Sequence, residues 1–178
     1  MNLQIIARRV AVILILGIAA MISGYFSLFL HIGTAVVVDP RDVLVVFAGV
    51  LTGPVGGILV GICAGFPGAD PIVEIPMFVV SGLVAGLISH YCRTHNFWIP
   101  AAALGLGCGY VVAGMILMGL GWYEDLATFA FRSLIMIHVC ILILIIIDSL
   151  DPGIFTWERR IGQPDNPNPV ERLDLPVE

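Results

Sequence analysis

The sequence predicts an all-α integral membrane protein. It is a compact bundle of about six hydrophobic segments, with the second and third short and broken at Gly53-Pro54. Three observations carry that prediction. The 178 residues are 59% hydrophobic and only 12% charged, about half the charge density of a soluble domain, so the bilayer is the solvent. Most of the chain lies in apolar runs of about 18 residues or more, the length a helix needs to cross the hydrocarbon core. Its arginines gather on one side of the membrane only if the number of crossings is even.

The first span runs over roughly residues 9–31. It is too long for the h-region of a signal peptide, and no small-residue cleavage site followed by a polar mature chain appears, so a retained helix is expected. The next stretch, "VVVDPRDVLVVFAGVLTGPVGGILVGICAG", decides the topology. Were residues 42–66 one helix, Arg93, Arg159 and Arg160 would lie across the membrane from Arg8 and Arg9, against the positive-inside rule. A break at "LTGPVGG" into two short segments, as a double pass or a re-entrant hairpin, puts all five on the cytoplasmic side. Asp39, Asp42, Asp70, Glu74, Glu124 and Asp125 then face outward, and Arg41 alone sits on the disfavoured side. Pro54 lacks an N–H and disfavours helical geometry at Gly53, itself a weak helix former. The half-segments of about 11 and 14 residues are short for full spans at 1.5 Å per residue.

Further spans follow at roughly 72–90, 97–120 and 125–149. Trp98 and Trp157 are expected at the inner interface, with Trp122 and Tyr123 at the outer one, where amphipathic rings prefer to sit. Residues 1–157 thus make a multi-pass domain of the cytoplasmic membrane with both termini inside. Residues 158–178, polar and proline-rich, are expected to be a disordered cytoplasmic tail. That tail is too short for a kinase, cyclase or nucleotide-binding domain.

Gly49, Gly53, Gly57, Gly61 and Gly65 recur every four residues, and Gly82 with Gly86 repeats the spacing. Together with Pro54 they are read as close helix packing, which small residues permit inside membranes. Asp39 and Asp70 are placed to cap helix starts with Pro40 and Pro71 in first position, and Asp42 stands where a capping-box acid reaches back. Arg41 is a cation at a helix N-terminus, where the macrodipole opposes it, with Asp39 or Asp42 as possible partners.

Glu124, Thr128 and Arg132 share one helix face, with Arg132 about 12 Å further in than Glu124. A charge in a membrane helix normally faces a partner or a wet cavity. Arg132 therefore forms either an ion pair, with Asp70 and Glu74 as candidates, or a contact with an anionic or polar ligand. Arg41, Asp70, Glu74, Glu124, Thr128 and Arg132 are the candidate ligand-binding residues. His138 is read as packed and hydrogen-bonded. Cys63, Cys92, Cys108 and Cys140 lack metal-ligand spacing and read as small hydrophobes. No catalytic constellation, metal site, cofactor motif or basic patch for nucleic acid emerges, so no enzyme activity and no cofactor are expected.

At "VVVDPRDVLVVFAGVLTGPVGGILVGICAG" and "IPMFVVSGLVAGLISHYCR" the sequence resembles the membrane receptor region of LytS-type sensors. Arg41, Gly49, Gly53, Pro54, Gly57, Gly61, Gly82, Gly86 and Arg93 stand where that pattern has them. The chain reads "FPGADP" where the family usually carries an Arg and a Gly-Gly, and residues 158–178 are not expected to form an output domain. The same stretch is similar to the substrate-binding S-component of energy-coupling factor (ECF) vitamin transporters. In that family an A-x-x-x-A motif on the first helix docks the coupling subunit, and Ala7 and Ala11 match its form. Both resemblances imply a bilayer-embedded bundle that recognises a small extracellular ligand. The partner is a separate signalling output protein in the first case and an ECF coupling subunit with ATPases in the second. Signalling stands slightly ahead of uptake.

Overall fold

The computed structural model describes residues 3–32, 36–92, 97–121, 126–151 and 154–156. The tail at 158–178, Trp122, Tyr123, Glu124 and Trp157 lie outside them. Six helices are described: α1 (Leu3–Tyr25), α2 (Pro40–Thr52), α3 (Pro54–Gly65), α4 (Pro71–Tyr91), α5 (Trp98–Gly119) and α6 (Leu126–Leu150). Four are long and apolar enough to cross a membrane, over Ile6–Tyr25, Pro71–Tyr91, Trp98–Gly119 and Thr128–Leu150. The molecule is an all-α membrane bundle.

Helix α1 starts and stops about six residues earlier than the hydropathy suggests. Ser27 adopts a left-handed φ of 47° just beyond it, which a helix cannot continue through. The chain then makes a small antiparallel ribbon, β1 (Leu30–Ile32) on β2 (Val36–Val38), with Leu30 opposite Val38. Apolar content alone could not distinguish that ribbon from more helix.

Residues 42–66 form neither one helix nor two full spans. Gly53, at φ 82° and ψ −173°, reverses the chain between α2 and α3. That backbone conformation is open essentially to glycine alone. Pro54 starts α3, in the position where its missing N–H costs nothing. The arms run antiparallel, because the Arg41 side chain near the start of α2 reaches the Ala64 carbonyl near the end of α3. Their turn lies beside Gly86 of α4, and Ser89 donates to the Val50 carbonyl at 2.8 Å. Tyr91, the end of α4, is five residues past Gly86, so the turn stops about 8 Å short of it.

The glycine stripe forms the seam between this hairpin and α4. A Cβ on Gly49, Gly57, Gly61 or Gly65 would strike the α4 backbone at Gly82, Gly82, Phe78 and Ile75 respectively. Gly82 and Gly86 answer from the other side, meeting Gly57 and Pro54. Gly53 is the exception to the packing expectation. Nothing lies within 4 Å of its would-be Cβ, so it is there for the turn.

Helices α4 and α5 pack antiparallel, with Gly105 over the Ser81 carbonyl and Gly109 over Met77. Helix α6 packs on α5. Trp98 corrects the aromatic-belt expectation. It is buried and stacks on Phe155 at 5.3 Å, because the turn after α6 folds over the start of α5. Two exposed tyrosine rings mark opposite ends of the bundle, Tyr25 closing α1 and Tyr91 closing α4.

Candidate functional site

Arg41 and Asp42, the buried charged residues among the described ones, lie where the hairpin opens. Asp39 caps α2, accepting the Arg41 backbone N–H at 2.9 Å. The cap places Arg41 and Asp42 in the first turn, about 100° apart around the axis, so they face different neighbours. Arg41 turns toward α3 and α4. Its Nε donates to both Asp39 oxygens at 2.8 and 3.1 Å, and its terminal nitrogens pair with Asp39 and Glu74 at 2.6 Å each. One terminal nitrogen also donates to the Ala64 carbonyl at 3.0 Å, and the guanidinium stands 5.1 Å from the centre of the Phe78 ring. Arg41 is only 5% exposed. Glu74 is the fourth residue of α4 and Phe78 the eighth, so the ion pair sits against the first two turns of that helix.

Asp42 turns the other way, into the bundle. It is 1% exposed and accepts the Tyr110 hydroxyl on α5 at 2.8 Å through Oδ2. Its Oδ1 is buried with no hydrogen-bond partner among the described residues, and the Ser23 hydroxyl on α1 shares that condition. A buried carboxylate oxygen with nothing to accept from is costly, and such groups in membrane proteins usually mark a site. The second carboxylate oxygen of Glu74 is occupied, accepting the Ala69 N–H at 3.1 Å.

The family model described as 5TMR of 5TMR-LYT matches residues 2–150. The chain belongs to this family. It is a membrane receptor region of the LytS type. No curated protein and no solved structure matches it.

Of the residues that the sequence nominated in this receptor region, the structure brings Arg41 and Glu74 together directly. Asp70 is exposed at the N-cap of α4, but its side chain makes no capping bond there. Asp42 is no capping-box acid, since its carboxyl points to α5. The expected pairing of Arg132 with Glu74 does not form. The Glu74 carboxylate faces the hairpin and is taken by Arg41, while α6 packs on α5. Arg132 is exposed on α6, with no ion pair among the described residues. Thr128 is likewise exposed on α6, and Glu124 falls outside the described residues. His138 is exposed rather than packed, with Nδ1 2.7 Å from the Leu134 carbonyl.

Sequence reasoning missed Asp42 and Tyr110 as a pair. They lie 68 residues apart, and neither type is unusual by itself. The available signal was a second acid in "DPRD", one position more than a cap and an arginine partner require.

Proposed function

We propose that this 5TMR-LYT region senses a small polar molecule arriving at the outer face of the cytoplasmic membrane. The site is the recessed cluster of Asp39, Arg41, Asp42, Glu74 and Tyr110, and a separate output protein reads the result on the inner side. One observation carries this reading: a buried, open carboxyl oxygen on Asp42 stands next in sequence to a buried arginine held by Asp39, Glu74 and the Ala64 carbonyl, at the mouth of a helical hairpin. The arginine joins α2, α3 and α4, and Asp42 joins α2 to α5. A ligand there acts on the element that links the whole bundle.

The route inward is short. Phe47 follows Asp42 by five residues on α2 and packs edge-to-face on Phe155 at 5.8 Å, close to where the chain leaves α6. A small shift of the hairpin is thereby felt at Phe155. The family name counts five membrane segments, which four long helices and the hairpin taken as one segment supply. Because the hairpin returns to the side it entered, the crossings remain even and both ends of the chain lie in the cytoplasm.

Thermal unfolding of the purified protein across a metabolite panel tests the reading, since a ligand that binds only the folded state raises stability. At least one compound is expected to raise the unfolding temperature, with the shift lost in Asp42→Asn and kept in Arg132→Ala. A panel that shifts nothing, or a shift that survives Asp42→Asn unchanged, rejects the site. The uptake reading has one observation in its favour: Ala7 and Ala11 lie on an exposed face of α1, open to a coupling subunit. Co-purification of ATPases with the chain would establish uptake in place of signalling.

A further inference from the structure

We propose that the site between α2 and α5 takes a small cation that donates N–H hydrogen bonds, either ammonium itself or the primary ammonium group of a small amine. Asp42 Oδ1 and the Tyr110 hydroxyl oxygen are its acceptors. The inference rests on the sensing reading and names the ligand class for the same site.

Charge is the first argument. Asp39, Asp42 and Glu74 bring three acidic side chains to the mouth of the hairpin against the guanidinium of Arg41. The second is what remains open. Arg41 spends its Nε–H on Asp39, two terminal N–H groups on Ala64 and Glu74, and another on Asp39. An anionic ligand would meet a guanidinium already held by Asp39 and Glu74, and would add negative charge to an acidic site. Both Glu74 oxygens are engaged in turn, one on Arg41 and the other on the Ala69 N–H.

Among the described acids, Asp42 is the one whose carboxyl oxygen is both buried inside the bundle and without a hydrogen-bond partner. The Tyr110 hydroxyl gives its proton to Asp42 Oδ2 and keeps lone pairs to accept with. A small N–H cation supplies the missing donors and brings positive charge to an acidic cluster. Arg132, the residue that suggested an anion, is on the exposed face of α6 and outside this cluster.

The test uses the full chain in lipid nanodiscs at fixed pH and matched ionic strength, with unfolding temperature as the readout. The probes are ammonium chloride, methylammonium chloride, tetramethylammonium chloride and sodium acetate. Ammonium, methylammonium or both are expected to stabilise the protein saturably, and the stronger of the two separates the free ion from an amine headgroup. Tetramethylammonium carries the charge without N–H donors and is expected to do nothing, as is acetate. Asp42→Asn should abolish the effect. Tyr110→Phe, which removes one hydroxyl and serves if the first variant does not fold, should weaken binding about tenfold, as for one hydrogen bond to a charged group.

Stabilisation by acetate and not by the amines overturns the ligand class and leaves the sensing reading standing. Equal stabilisation by tetramethylammonium removes the role of N–H donors. A shift that survives Tyr110→Phe and Asp42→Asn puts the site elsewhere. If none of the four probes acts, the cation inference fails, and the metabolite panel decides separately whether sensing fails with it.

Discussion

Replacing Arg41 by Met keeps much of the aliphatic stem and removes the guanidinium. Three acceptors lose donors: the Asp39 carboxylate, Glu74 Oε2 and the Ala64 carbonyl. Asp39 retains its bond from the Arg41 backbone N–H, and both acids are nearly one-fifth exposed, at 18% and 19%. Water therefore returns part of what they lose. The Ala64 carbonyl bond is buried and recovers nothing. Breaking a buried ion pair from one side costs about 3–5 kcal/mol, and partial hydration of the acids places Arg41→Met near the lower end, at about 3 kcal/mol. Adding Glu74→Gln removes one stranded charge and should recover about 1 kcal/mol, so the pair is non-additive. The assay is reversible unfolding in mixed micelles for the parent, both single variants and the double. A loss below about 1 kcal/mol, the level of a surface ion pair, or strict additivity with Glu74→Gln, would refute the claim that Arg41 clamps the hairpin to α4.

Three further outcomes follow from the same geometry. Gly57→Ala drives a methyl into the Gly82 backbone and should destabilise by about 1–3 kcal/mol. Gly107→Ala on α5 meets nothing within 4 Å and should be neutral or stabilising by up to about 1 kcal/mol; similar losses at both positions in the unfolding assay would contradict the seam. Gly53→Ala asks a side chain to adopt φ 82° and should cost about 1–3 kcal/mol although the space is open; a neutral result would show that the turn relaxes. In a background lacking the four native cysteines, Tyr25→Cys should react with an impermeant thiol reagent on intact cells and Tyr91→Cys only after lysis, the reverse pattern inverting the proposed orientation.

Segment number, the short second and third segments, their hinge at Gly53-Pro54 and the capped start at Asp39-Pro40 were all legible in the sequence. Each rests on a one-dimensional property: hydropathy length, arginine parity, or the local chemistry of proline and glycine. The glycine stripe was legible as packing because a spacing of four puts small residues on one helix face, though which helix it meets was not. The small β1–β2 ribbon was not legible, since its residues are as apolar as a membrane helix and only the left-handed turn at Ser27 interrupts the run.

Rotation of each helix about its own axis was decided only by the tertiary structure. Helices α3 to α6 are apolar nearly all round, as the membrane requires, so no polar face in the sequence tells which side turns inward. Arg132 therefore read as an inward-facing charge and proved exposed, while Asp42 read as a cap and proved buried against Tyr110. Arg41 could be assigned a partner within its own turn, Asp39, but its ion pair with Glu74 spans 33 residues. That pairing needed the hairpin folded back along α4. The sequence by itself determined what crosses the membrane and where it breaks; packing through the glycine seam decided which charges meet, because contacts between helices depend on rotation and depth that composition does not record.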